Sequence, residues 1–192
     1  MSRQTDTKLD PIFLERWSPR AFDGSVMPTS DLMTIIDAAR WAPSAFNYQP
    51  WRILYALRGD QNWDRFLSVL IPFNQGWAKD ASVLLFIVSD TISVGPDGPT
   101  PFYSHSFDTG AAWAQLGLQA LKLGYHTHGM TGIDFDTARS ELEVPEQFRI
   151  EAAVAIGRKA DPSVLPEGLR GGEVPSDRKP IAEIAFAGNF VA

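Results

Sequence analysis

The sequence predicts a single domain in which helices and strands alternate, of the α/β or α+β class, and three observations carry that prediction. Helix-spaced and strand-like apolar patterns follow one another along the chain. No repeat, low-complexity tract or linker divides it. The run Ser82 to Ser89 is almost continuously apolar, as a strand buried on both faces would be. The 192 residues, 44% of them hydrophobic, suit one domain spanning 1–192 with a sizeable core.

Taken in order, Asp10 and Pro11 form a helix start, with Asp as cap and Pro in the first turn. That helix must be short, because Ser18 precedes Pro19 and is held extended. Ser30 is expected to cap a second helix, with Leu32, Ile35, Ile36 and Ala39 on one face, and Pro43 stops it. Trp51 to Leu57 reads as a strand of mixed burial. Asp60 is expected to cap a third helix carrying Trp63, Phe66, Leu67 and Leu70 at helical spacing. After the strand at 82–89, residues 90–103 contain Pro96, Pro99 and Pro101 and read as a long loop, of a length often used for lids or binding segments.

Ser106 to Leu123 reads as a long helix, apolar nearly all round, ended by Gly124. So apolar a helix must be covered within the chain or by a second copy. Tyr125 to Thr131 is a strand, Asp136 to Leu142 a short helix and Glu151 to Ile156 another strand. Residues 158–180 are rich in Gly, Pro and charge, and Ile181 to Phe190 could form a strand at the end of an extended arm.

Composition excludes several functions. With 17 Lys and Arg against 23 Asp and Glu, the net charge of −6 argues against a nucleic-acid partner, which needs a basic surface. The absence of cysteine rules out disulfides, thiolate metal sites, Fe–S clusters and a cysteine nucleophile. The longest aliphatic and aromatic run, Val83 to Val88, is far too short to span a bilayer, and the first residues lack a signal-peptide apolar stretch. The expectation is a cytoplasmic protein with no membrane partner. No phosphate-binding P-loop, dinucleotide fingerprint or nucleophile elbow is present. His126 and His128 would share a strand face, as two metal ligands or as structural side chains, with no evident third ligand.

Two clusters carry chemistry. In Arg16-Trp17-Ser18-Pro19-Arg20 the extended backbone points alternate side chains the same way, so two guanidiniums and a hydroxyl can converge on one phosphate. The plainer reading is a pair of solvated arginines. In Pro43-Ser44-Ala45-Phe46-Asn47-Tyr48-Gln49-Pro50-Trp51, two prolines bracket a loop whose amides could meet the edge of a flat heterocycle or simply satisfy a turn.

Together these clusters resemble the nitroreductase family of FMN-dependent oxidoreductases. Arg16 to Asp23 is similar to the family's phosphate-binding start and Pro43 to Trp51 to its second signature. Phe73-Asn74 with Lys79 to Ser82, Gly129 to Asp134, and Gly157 with Arg178-Lys179-Pro180 resemble later regions, in order from about residue 10 to 190. The resemblance implies an α+β fold: a mixed, mainly antiparallel sheet flanked by helices, in an intertwined homodimer. The long helix would lie in the dimer interface and the C-terminal arm would add a strand to the partner's sheet.

The resemblance also implies site residues. Arg16, Ser18 and Arg20 would hold the FMN phosphate and ribityl chain, with Arg178 nearby. Pro43, Ser44 and Asn47 would reach the flavin ring of the partner subunit, and Asn74 the ring edge in its own. Met130, Thr131 and Gly132 would cover the ring, with the Gly132 amide near flavin N5; Met130 as plain core and Asn74 as a turn cap are the alternatives. Trp77 stands where many members have a lysine near the pyrimidine edge, Thr131 where some have an acid, and Ser176 where a basic residue is common.

The implied activity is a ping-pong hydride transfer through flavin N5, from NADH or NADPH to a small-molecule acceptor such as a nitroaromatic, quinone or conjugated carbonyl. The flavin carries the chemistry, so no protein nucleophile is required. Reductive dehalogenation, dehydrogenation, flavin destruction or a non-catalytic flavin-binding dimer are the alternatives.

Overall fold

Residues 3–190 are described by the computed structural model of the chain. The first helix, α1 (Pro11–Glu15), is capped as expected: the Asp10 carboxylate accepts from Ile12 N at 2.9 Å. Helix α2 (Thr29–Arg40) starts one residue before Ser30, which is therefore not its cap. Pro28 fixes the entry instead, its carbonyl accepting from Asp31 and Leu32 N. Strand β1 (Trp51–Leu57) has the expected bounds. Asp60 does not cap the next helix either. Its two carboxylate oxygens accept from Leu57 N and Asn62 N, both at 2.8 Å, closing the turn before α3 (Trp63–Ser68).

Helix α3 stops short of Leu70, which leaves the helical path to bridge Ile133. An additional helix, α4 (Pro72–Ala78), follows with proline in its first turn. Strand β2 (Val83–Asp90) comes next. The expected loop at 90–103 is instead mostly a two-stranded ribbon, β3 (Ile92–Gly95) and β4 (Gly98–Pro101). Pro96 and Asp97 make the turn, Gly98 follows it at φ 101°, and Pro99 and Pro101 are tolerated because a two-stranded ribbon consists of edges.

The remaining elements are α5 (His105–Lys122), β5 (His126–Met130), α6 (Phe135–Glu141), β6 (Phe148–Gly157) and the short α7 (Glu167–Arg170). The main sheet has the order β1-β2-β6-β5 and is antiparallel at every pairing. A bulge where Ile87 and Val88 pass Ala152 and Ile150 leaves Glu151 unpaired.

Strand β2 is buried on both faces. Val83, Leu85 and Ile87 pack against α2 and α5 through Leu32, Ile35, Ala112 and Leu116. Leu84, Phe86 and Val88 join Phe22, Phe66, Trp77 and Ala153 on the opposite face. Truncating one of these leucines would cost about 2–5 kcal/mol. Helix α5 is buried along one face only. Phe107 is 83% exposed, and Gly110 and Ala114 are also open. No strand forms within Ile181 to Phe190. A single 3-10 turn, Ile181–Glu183, is followed by irregular, exposed chain, since no sheet edge of the same chain lies alongside to bond it. None of the described helices is long and apolar enough to cross a membrane.

Candidate functional site

Beyond α1 the chain is extended at Arg16 (φ −66°, ψ 116°), and an Arg16 guanidinium nitrogen approaches Ser18 Oγ at 3.4 Å. The alternation that Pro19 imposes thus brings the two side chains to one side. Arg16, Ser18, Arg20 and Arg178 line one cavity of about 270 Å3, joined by Arg3 and His128. Arg3 donates to the carbonyls of Leu14, Arg16 and Ser176, tying the N-terminal segment to the clamp. Arg178 donates to Ser176 O and Oγ and to Asp177 O.

This cavity holds unbalanced positive charge. None of these four arginines is ion-paired with a carboxylate among the described residues. Burial, followed by the charges of Arg178 and Arg3, lowers the Arg16 guanidinium below its usual range. Glu173 is buried beside the cavity, but its Oε1 accepts from the backbone N–H groups of Arg20 and Ala21 at 2.7 and 2.8 Å. It therefore fixes the backbone of the clamp. A dianion is the species such a cavity lacks.

Arg16 and Ser18 also line a larger cavity of about 580 Å3, with Phe13, Trp113, Gly129, Met130, Thr131 and Ala152 among its walls. The free edge of β5 forms one side. Gly129 lets Trp113 lie close, since a Cβ there would sit 3.2 Å from the indole. The two cavities share Arg16 and Ser18, so an anionic group in the smaller one can belong to a flat body in the larger.

Gly132 and Asn74 meet beside this cavity. Asn74 Nδ2 donates to Gly132 O at 3.0 Å, and Ile71 N donates to the same carbonyl at 3.1 Å. A Cβ on residue 132 would overlap the Asn74 amide nitrogen and lie 2.8 Å from Ile71 Cδ1. A side chain there would displace Asn74 or Ile71, so glycine is favoured by close packing. Asn74 is thus a buried tie between α4 and the loop after β5. Met130 is buried in the core and also lines the cavity.

Pro43, Ser44 and Asn47 line neither cavity of this chain. Their loop is pinned by Ala45 N donating to Asp108 Oδ2 and by Gln49 N donating to Ser44 Oγ, both at 3.0 Å. Phe46, Asn47 and Gln49 have φ of 50°, 57° and 51°, a left-handed conformation that costs on the order of 1 kcal/mol or more per residue. Phe46 is 94% exposed.

Sequence reasoning missed Arg3, Trp113, His128 as a clamp neighbour, and Glu173. They come from segments remote from Arg16, and nothing local marks them. Trp77 needs correction as a side chain at the pyrimidine edge: it is 1% exposed, lines neither cavity, and packs its ring 4.7 Å from His128 and 6.3 Å from Phe22. Its apolar bulk and the α4 register place it behind the clamp. His126 and His128 share the β5 face, and the described residues contain no cluster of three or more His, Cys, Asp or Glu placed to hold a metal.

Comparison with known proteins agrees with this architecture. Residues 14–71 match the model of the nitroreductase family. A crystal structure described as an oxidoreductase containing FMN superposes with a TM-score of 0.96 at 52% identity, covering 98% of this chain and 96% of that one. The NADH dehydrogenase of Thermus thermophilus is 29% identical over 86% of this chain and 91% of its own length. A nitroreductase family protein from Clostridium difficile 630 shares the fold, with a TM-score of 0.71 at 21% identity over 93% of this chain and 97% of that one. The chain belongs to the nitroreductase family.

Proposed function

We propose that this chain is an FMN-dependent oxidoreductase that takes reducing equivalents from NADH or NADPH and passes them to nitroaromatics, quinones or related conjugated acceptors. Donor and acceptor would occupy the same open face in turn, a ping-pong order. The observation that carries this reading is the unpaired cluster of guanidiniums at one end of the larger cavity. It fits a phosphomonoester joined to a planar ring. The relative containing FMN and the NADH dehydrogenase relative support the cofactor and the donor.

On this reading Arg16, Ser18, Arg20 and Arg178 hold the phosphate and the adjoining polyol. Met130, Thr131 and Gly132 lie along the ring, and Asn74 sets the position of Gly132 through its carbonyl. Bound there, FMN supplies the hydride chemistry, and the protein supplies position and charge. Trp113 and Phe13 supply apolar wall against which the ring would lie. Pro43, Ser44 and Asn47, turned away from their own cavity, would serve a second copy in a homodimer. The open face of α5 and the exposed arm at 181–190 are the surfaces such a dimer would cover. NADH and NADPH are cytoplasmic pools, so the reading carries a cytoplasmic location with it.

Spectroscopy tests the proposal directly. The purified protein should show flavin absorbance, release FMN on acid treatment, and lose that absorbance on anaerobic addition of NADH or NADPH. A quinone or nitroaromatic should then restore it. Recovery of FAD, or no flavin uptake from excess FMN, would refute the cofactor. A bound flavin that neither nucleotide bleaches would refute the oxidoreductase.

A further inference from the structure

His128 projects from β5 into the wall of the phosphate cavity, and its surroundings define which nitrogen carries a proton. Nδ1 lies 3.0 Å from Pro19 O. A carbonyl can only accept, so Nδ1 must carry the hydrogen. That leaves Nε2 as the nitrogen that changes its protonation state. The ring cannot easily swing away, because Trp77 packs against it at 4.7 Å and Pro19 holds the other edge.

We propose that His128 is the proton-accepting member of the phosphate clamp, taking a proton from solvent at Nε2 as a phosphomonoester occupies the cavity. Flavin-phosphate retention is thereby coupled to pH. This rests on the FMN reading above and extends it to a residue outside the arginine set.

The groups facing the imidazole account for both states. From the extended segment after α1, Arg20 opposes a charge on the ring, while the Pro19 and Ser18 carbonyls favour it. From the C-terminal segment, Glu173 favours it, while Arg178 and, from the N-terminal segments, Arg3 and Arg16 line the same cavity as further cations. Trp77, from α4, carries no charge. Without an anion, burial is the largest influence and keeps the ring neutral more readily than a free histidine. A phosphate dianion reverses that balance, because it offers both an opposite charge and an acceptor for Nε2–H.

The chain contains three histidines, His105, His126 and His128, so their ring proton resonances can be followed individually by NMR and assigned by single substitutions. The midpoint of His128 should rise by at least about one pH unit when FMN or inorganic phosphate is added to the apoprotein, and stay unchanged with riboflavin. FMN affinity should weaken up to about tenfold per pH unit between roughly pH 6.5 and 8, where the phosphate is already mostly dianionic, while riboflavin affinity stays flat. His128→Gln, which keeps a donor that cannot titrate, should remove that slope.

An unchanged His128 midpoint in an FMN complex, or an equal shift with riboflavin, overturns the inference and leaves the flavoprotein reading intact. Failure of FMN to bind at all, seen independently by flavin absorbance and fluorescence, overturns both. The NMR titration uses the unsubstituted protein, so it decides the matter even where His128→Gln folds poorly.

Discussion

The segment at 16–20 and the loop at 43–49 differ in how much of a binding site one chain completes. At 16–20, Pro19 holds the chain extended, Glu173 fastens its amides, and Arg3, Arg178 and His128 close the cavity around it. The loop at 43–49 is equally well anchored, through Asp108 and Ser44, yet it lines neither the phosphate cavity nor the larger one beside it and carries three left-handed residues. Strain of that kind persists only where neighbouring contacts over-determine it. The contrast teaches that a charged site can be assembled within one chain, whereas the loop at 43–49 is held in a strained shape without lining either of these cavities.

The largest effect should come from dismantling the clamp. Each arginine contact to an ionised group is worth roughly 1.5–3 kcal/mol. Arg16→Ala combined with Arg178→Ala should therefore weaken FMN binding at least about a hundredfold, and Arg20→Ala alone about ten- to hundredfold. Riboflavin, titrated into the same apoproteins, should bind as before. Equal losses for both flavins would mean the arginines support the fold or the ring.

Next in size is Gly132→Ala. Its Cβ would press into Asn74 and Ile71, at a cost of about 1–3 kcal/mol in stability, or a melting temperature lower by several degrees. Combining it with Asn74→Ala should recover part of that loss, and thermal melts of the four proteins measure the coupling. Strict additivity would show that the two residues do not share the strain.

Asn47→Ala should do less. A neutral hydrogen bond is worth about 0.5–1.5 kcal/mol, so a loop that meets the ring should weaken FMN and riboflavin alike, roughly two- to tenfold. If the ring belongs to a second copy, mixing this variant with the Arg16→Ala, Arg178→Ala protein should restore one intact site per mixed dimer. No gain on mixing, at concentrations where dimers exchange, would break the comparison drawn above.

The smallest effect concerns pH. Burial lowers both His126 and His128 below the ordinary imidazole value. Between the folded and unfolded values the unfolded chain binds more protons, so stability rises with pH in that window. The apoprotein should thus lose stability as pH falls below about 6.5. Melting temperatures of apoprotein and FMN complex compared across pH 5–7 would check this, and a flat apoprotein profile would contradict it.

Much of this molecule was legible from residues a few positions apart. The strand at Trp51–Leu57, the two-face burial of Val83 to Val88, the long helix and the Asp10 cap all follow from local periodicity and backbone preference. So does the convergence of Arg16 and Ser18, because Pro19 restricts the residue before it whatever the rest of the chain does. The ribbon at 92–101 was not read from the sequence, because Pro96, Pro99 and Pro101 argued for a loop.

Other features were decided only by tertiary structure. Leu70 fits a helical face, but pairing with Ile133 takes it out of the helix. Asp60 has the chemistry of a cap and is drawn to the end of β1 instead. Arg3, Glu173 and His128 reach the clamp from segments 13, 153 and 109 residues away from Arg16, Arg20 and Pro19. The physical reason is range. Dihedral restriction and side-chain period act over one or two turns of chain, whereas charge and hydrogen bonding act through space, on whichever side chains the packed sheet has brought together.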